Sequence, residues 1–92
     1  MAETPLRYAG QEVLTLRQID RLNGVAKGTG FRAFKRVRDE LTEGRDFFRL
    51  DASEHASYIE ALRRAGLVYE STIHCVLLTR AAYRRMGVNS SA

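Results

Sequence analysis

The segment that decides the fold is GVAKGTGFRAFKRVRD, residues 24–39, in which three glycines precede a run of basic and aromatic residues. Its apolar residues recur at helical spacing: Phe31, Phe34 and Val37, followed by Leu41. At about 100° per residue, three cations point to the opposite side: Arg32, Lys35 and Arg36. The pattern predicts a helix over about residues 29–43. Thr29 is its expected N-cap and Gly44 its expected end.

A shorter helix is predicted immediately before the glycines. Thr15 is suited to cap it, because Gln18 stands three residues later and can bond back to the cap. The helix should begin near Leu16 and end at Gly24. Its expected inner stripe consists of Leu16, Ile19 and Leu22. The residues expected to point outward are Arg17, Gln18, Asp20 and Arg21.

The glycine-containing joint between these helices favours a sharp turn. Two short helices joined in this way are typical of a helix-turn-helix, whose second helix enters the major groove of duplex DNA. A nucleotide-binding P-loop fits the same glycines less well. Gly24 and Gly28 enclose three residues where that motif needs four, its Gly-Lys-Ser/Thr ending is missing, and a helix precedes the loop instead of a strand.

Positive charge is concentrated in the same part of the chain. Six bases and no acid lie in one window: Arg21, Lys27, Arg32, Lys35, Arg36 and Arg38. The whole chain has 15 bases and 11 acids. Outside this window there are therefore nine bases and 11 acids, so the rest of the chain is slightly acidic. A local basic patch on such a body is expected of a protein that docks on a polyanion. A merely solvated helix face would have the same composition.

The second half of the chain alternates short strands and helices. Four stretches have strand character: residues 12–14, 46–50, 67–70 and 72–79. A third helix is expected after the second of these, opened by Asp51 or Ser53 and ended by Gly66. Thr79 should cap a fourth helix that ends at Gly87. The predicted fold class is α+β: a helix-turn-helix-like helix pair packed with a small antiparallel β-sheet and one or two further helices.

Length and composition fit one ordered domain. The chain has 92 residues, 45% apolar and 28% charged, which suffices for a single modest core. We expect a partly disordered N-terminus over residues 1–10, one DNA-binding-type domain over 11–87 and a flexible C-terminus over 88–92. No apolar run approaches the roughly 18 residues that span a bilayer, and no export signal is visible. The single cysteine, Cys75, suits a reducing compartment, so a cytoplasmic protein is predicted.

Three stretches taken together resemble a known family: VLTLRQIDRLNGV at 13–25, LTEGRDFFRL at 41–50 and CVLLTRAAY at 75–83. They look like the N-terminal domains of phage antirepressors, the KilA-N group and its prophage relatives, over about residues 11–86. The most specific part is the acid-glycine-basic-polar-aromatic-aromatic run that begins at Glu43. The resemblance implies a DNA-binding domain that acts in phage or prophage regulation.

Catalytic and metal-binding patterns are weak. His74 and Cys75 are adjacent in a predicted strand, so their side chains leave opposite faces and cannot share a metal ion. His55 has no partner four residues on. Three acids near the end of the second helix pair more simply with Arg36 and its neighbours than act in acid–base chemistry: Asp39, Glu40 and Glu43. We expect no enzyme activity, no metal and no cofactor.

The sequence therefore predicts a reader of duplex DNA, acting as a phage- or prophage-type transcriptional regulator or antirepressor. The residues expected to contact DNA are Arg21, Lys27, Thr29, Arg32, Lys35 and Arg36. The expected partners are double-stranded DNA and either a second copy of the chain or another regulatory protein, with no membrane and no small-molecule substrate. The alternative is a protein-interaction module that binds another regulator without touching DNA. Its apolar patch is expected around Tyr58, Tyr69 and Tyr83.

Overall fold

The computed structural model describes residues 4–87, and the predictions for residues 1–3 and 88–92 lie outside them. The elements in chain order are β1 (Leu6–Tyr8), β2 (Gln11–Thr15), α1 (Leu16–Asn23), α2 (Thr29–Val37) with a 3₁₀ turn (Arg38–Glu40), β3 (Phe47–Leu50), α3 (Ala56–Arg64), β4 (Cys75–Thr79) and α4 (Arg80–Met86). Helices packed on an antiparallel sheet make this an α+β fold, as the sequence predicted.

The strands form one antiparallel sheet in the order β1-β2-β4-β3. At its centre β2 pairs with β4, with Leu14 opposite Leu78. β1 was not predicted, because it lies in the stretch expected to be partly disordered. It pairs with β2, with Leu6 opposite Val13. The folded sheet therefore begins before residue 11.

The sheet separates two apolar cores, one on each face, whereas the length of the chain predicted a single core. β4 contributes to both because its side chains alternate, with Leu77 in one core and Leu78 in the other. The first core packs the sheet against α3 through Ile59 and Leu62. The second core packs it against α1, α2 and α4 through Ile19, Ala33, Phe34, Ala82 and Met86. The two helices of the predicted pair are thus held from behind by the sheet.

The ends of α1 and α4 follow local sequence signals, as predicted. The Thr15 hydroxyl accepts a hydrogen bond from the Gln18 N–H at 3.1 Å, and the Gln18 side chain accepts one from the Thr15 N–H at 2.9 Å. Gly24 ends α1 in the left-handed conformation, at φ 63°. Thr79 caps α4 through its side chain, and Gly87 ends it at φ 67°.

α2 is shorter than predicted and is capped differently. Its N-cap is Gly28, at φ 92°, and Thr29 is its first residue. At its other end the helix gives way to a 3₁₀ turn and then to extended chain. The Thr42 N–H donates to the Asp46 carboxylate at 2.9 Å and closes a separate turn that contains Gly44. The predicted continuation of the helix to residue 43 is therefore wrong.

The start of α3 and the chain after it also differ from the prediction. Neither Asp51 nor Ser53 caps α3, because the Asp51 carboxylate accepts from the Ser53 N–H at 3.0 Å instead. After α3 the Leu67 N–H donates to the Leu62 carbonyl at 2.9 Å and turns the chain back. The strand predicted at residues 67–70 does not form, and this stretch is a loop.

Candidate nucleic-acid interface

The joint between α1 and α2 is held by a buried carboxylate, Asp20. Its Oδ1 accepts a hydrogen bond from the Gly30 N–H at 2.7 Å, and its Oδ2 accepts one from the Gly28 N–H at 3.1 Å. The Tyr69 hydroxyl donates a third hydrogen bond to Oδ2. A side chain of α1 thus caps α2 and satisfies two amides that a helix N-terminus leaves open. It replaces the cap that was predicted at Thr29.

The polar inner side of α1 contradicts the predicted face of this helix. Asp20 and Gln18 were expected to point outward, but both are buried. Asp20 faces the backbone of α2, while the Gln18 amide closes the cap of α1 and donates to the Thr4 carbonyl at 2.9 Å. Leu22, expected inside, is 37% exposed. The inner side is set by hydrogen bonds between elements, which apolar spacing along one helix does not reveal.

Gly30 allows α2 to approach α1 closely. A Cβ at this position would lie 2.9 Å from Asp20 Oδ1 and 3.4 Å from Ile19 Cγ2. Any larger residue would displace the carboxylate that caps the helix. The glycine therefore fixes the distance between the two helices as well as the turn.

The Asp20 carboxylate also decides what the start of α2 can bind. A helix N-terminus holds a phosphate through free backbone amides. Here the amides of Gly28 and Gly30 are bonded to Asp20, and the Thr29 N–H donates to the Ala26 carbonyl at 3.1 Å. These amides are unavailable to a phosphate, which agrees with the mismatch to a P-loop. A phosphate near this joint would have to be met by side chains.

The outer side of α2 carries three exposed cations, which we term the α2 basic face: Arg32, Lys35 and Arg36. Within residues 4–87, no carboxylate lies at ion-pairing distance from any of them. The predicted pairing of nearby acids with Arg36 is therefore wrong. Glu40 pairs instead with Arg85 of α4, at 2.7 Å. Among the described residues, therefore, no carboxylate neutralises the α2 basic face, and its charge is open to the solvent or to a ligand.

Phe31 lies beside these cations instead of in the core. The sequence placed it on the inner stripe, but its side chain is 46% exposed. The inner side of α2 is centred on Gly30, Ala33 and Phe34. The glycine and the alanine are small, so the helix can pack tightly on α1. Phe31 is thereby turned to the edge of the outer face. The Lys35 Nζ lies 5.4 Å from the centre of its ring, within cation–π range.

A second group of cations surrounds Tyr69, and we term it the Tyr69 cluster: Arg17, Lys27 and Tyr69. The Arg17 guanidinium carbon lies 5.4 Å from the ring centre and the Lys27 Nζ 5.0 Å from it. Burial, together with the hydrogen bond to Asp20, raises the pKa of Tyr69 to about 12. Arg17 also donates to the Val68 carbonyl at 3.1 Å. The loop before β4 is thus fastened to α1 and to the helix joint.

The Tyr69 cluster and the α2 basic face are neighbours. A groove of about 330 Å³ lies between α1, the start of α2 and the chain before β4. Arg17, Lys27 and Phe31 all line it. Because Phe31 also contacts Lys35, the two cationic groups meet at this ring.

Most of the predicted contact residues come together. Lys27 stands at the leading end of α2, and the Thr29 hydroxyl accepts a hydrogen bond from the Arg32 guanidinium at 3.3 Å. Arg21 is exposed in the last turn of α1, where its charge acts on Tyr69. The sequence reasoning missed Arg17, although it lies four residues before Arg21 on the same helix face. The sequence analysis named Tyr69 only for an apolar patch, because its place beside Arg17 and Lys27 depends on a distant helix.

The histidine–cysteine pair is not arranged for nucleophilic chemistry. Cys75 is buried in β4, and burial raises the pKa of its thiol to about 11. His74 is exposed, and its Nδ1 accepts from the Ala52 N–H at 3.3 Å. Hydrogen bonds from Ser53 lower the pKa of the nearby Asp51. In the described part of the chain, no three His, Cys, Asp or Glu side chains gather in a way that could hold a metal ion.

No family model, curated protein or solved structure matches this chain. The resemblance to the KilA-N group therefore stays a prediction. Between residues 4 and 87, no helix is both long and apolar enough to cross a membrane.

Proposed function

We propose that this protein is a sequence-specific duplex-DNA-binding domain that reads DNA through the outer side of α2. The observation that carries the proposal is the α2 basic face, whose three exposed cations have no carboxylate beside them within residues 4–87. A phosphate backbone rewards such a cluster, because each neutralised phosphate releases condensed counterions. Cations that already pair with carboxylates would first have to break those ion pairs before they could bind phosphate.

The geometry of the helix supports a role for α2 in the major groove. The groove is about 12 Å wide and admits one α-helix. α2 is braced from behind by Phe34 in the core and at its start by Asp20. We assign all three cations of the α2 basic face to phosphates beside the groove: Arg32, Lys35 and Arg36. The guanidinium groups of the two arginines have five donors each, so they can also bond guanine edges at two points. Lys27, in the Tyr69 cluster, would meet the backbone beside the groove.

The biological role follows from the resemblance to phage antirepressor domains. We propose a phage- or prophage-type regulator that acts in the cytoplasm, where its DNA is accessible. One domain of this size covers few base pairs, so operator binding favours a symmetric dimer on two half-sites.

Selection of bound sequences from random duplexes at two salt concentrations tests the proposal. A specific reader enriches the same short site at both concentrations, with guanines where the arginines dock. Charge attraction alone retains DNA at low salt without enriching any sequence. Retention without enrichment, or no retention at all, would contradict the proposal.

A protein-interaction module is the second candidate, although the apolar patch predicted for it is not formed. Tyr58 packs against one core and Tyr83 against the other, on opposite faces of the sheet. The exposed large apolar side chains that favour this candidate are Leu22, Phe31 and Ile73, which are 37%, 46% and 67% exposed. An acidic protein would then occupy the α2 basic face, and duplex selection would enrich nothing.

A further inference from the structure

Phe31 is out of place for a residue with only a structural role. The ring is 46% exposed on a helix whose inner side is already filled by other residues. An exposed ring leaves apolar surface in water, and a ligand that covered the ring would gain the free energy of burying that surface. The core does not need this ring, so its position suggests a contact outside the molecule.

The surroundings of Phe31 indicate what kind of ligand would cover it. Lys35 lies against the ring, and Arg32 is the next residue along the helix. Neither cation has a carboxylate at ion-pairing distance within the described residues. A suitable ligand therefore offers negative charge together with a small apolar group. Major-groove DNA combines the two, because phosphates flank the groove and the 5-methyl group of thymine projects into it.

We propose that Phe31 contacts the methyl group of one thymine in the bound site and makes that position specific for thymine. This inference rests on the proposed function. It adds the recognition of one thymine, which the charge of the cations cannot distinguish from other bases. The ring borders both the α2 basic face and the groove beside the Tyr69 cluster. The thymine should therefore lie at the edge of the recognised sequence nearest to Lys27.

The test uses the selected duplex with each thymine replaced in turn by uracil, which removes only the 5-methyl group. For the wild-type protein, one replacement should weaken binding about fourfold, the effect expected for one buried methyl group. Phe31→Ala should bind the thymine and uracil duplexes equally and still prefer the selected site. Ile73→Ala, which removes another exposed apolar side chain, is the matched control and should keep the fourfold difference.

Each other result overturns the inference in a recognisable way. If the wild-type protein selects a site but ignores every uracil replacement, the thymine contact is wrong and the proposed DNA binding stands. The same holds if Phe31→Ala still distinguishes thymine from uracil. A loss that follows flexible pyrimidine–purine steps instead of the methyl group would mean that the ring inserts between bases. If no duplex is selected, the proposed function and this inference fail together.

Discussion

Two sets of exposed cations on this protein differ in what surrounds them. Those of the α2 basic face have no carboxylate at ion-pairing distance within residues 4–87. Three exposed arginines of α3 and α4 are paired: Arg64 with Glu60 at 3.4 Å, Arg80 with Glu12 at 3.7 Å and Arg85 with Glu40 at 2.7 Å. A count of charges treats the two sets alike. The positions of the acids separate them, and only the first set is open to a polyanion.

The difference arises from where acids fall along the chain. Glu60 precedes Arg64 by one helical turn, so the two side chains meet on the same face of α3. The window from Arg21 to Arg38 contains no acid. The acid immediately before it, Asp20, is buried and bonded to backbone amides, and it does not neutralise the outer side of α2.

The largest effect is expected from Asp20→Ala, which removes the support of the α2 basic face. Two amide donors and the Tyr69 hydroxyl would lose their acceptor, at about 1–3 kcal/mol for each buried group. We expect the free energy of unfolding, measured by urea denaturation, to fall by about 3 kcal/mol or more. Asp39→Ala removes an equal charge from an exposed position and should change stability by less than about 0.5 kcal/mol. Equal losses in the two variants would show that the buried carboxylate does not hold the joint.

Gly30→Ala should have the next largest effect. In an ordinary helix this change stabilises by up to about 1 kcal/mol. Here the added Cβ would lie 2.9 Å from the capping carboxylate, and overpacking costs about 1–3 kcal/mol. We expect a net loss of about 1–2 kcal/mol in thermal or urea unfolding. A more stable variant would mean that α1 and α2 are not packed this closely.

Tyr69→Phe removes one of the three hydrogen bonds to Asp20 and should cost about 1 kcal/mol at neutral pH. It should also change the alkaline behaviour. The folded state holds the phenol proton more tightly than the unfolded chain, since its pKa is raised from 10.0 to about 12. The raised pKa therefore contributes to the free energy of unfolding, and this contribution is fully present below pH 10 and is lost as the pH rises towards 12. Melting temperatures measured from pH 8 to 12 should fall less steeply in the variant, and parallel curves would contradict the assignment.

The smallest effect concerns the paired arginines. The Glu40–Arg85 pair is exposed, and such pairs contribute about 0.2–1 kcal/mol. A double-mutant cycle with Glu40→Ala and Arg85→Ala should give a coupling energy in the lower half of that range. The pair would then contribute little to stability, and its main effect would be to neutralise the charge of Arg85. A coupling of about 2 kcal/mol or more would show that the pair is a structural element instead.

The elements with local signals could be predicted from the sequence, and those that depend on distant contacts could not. The caps at Thr15 and Thr79 lie within a few residues of what they bond, so spacing alone located them. The cap of α2 was assigned wrongly to Thr29, because the side chain that caps this helix, Asp20, belongs to another helix. Phe31 was assigned to the core because helical spacing does not show how a helix is rotated against its neighbours. The cations of α2 were predicted correctly as exposed, because no apolar surface competes for them.

The central claim is that the α2 basic face contacts DNA phosphates, and the salt dependence of duplex affinity tests it most directly. The variants to compare are the triple alanine replacement of Arg32, Lys35 and Arg36 and the matched triple replacement of Arg64, Arg80 and Arg85. Both remove three exposed positive charges. For the wild-type protein and the matched control, the logarithm of affinity should fall against the logarithm of salt with a slope of about −3 to −4. Replacement of the α2 cations should bring the slope to about −1 or shallower, since each lost phosphate contact removes about one unit. A flat response in the wild-type protein, or equal slopes for the two triple variants, would contradict the claim.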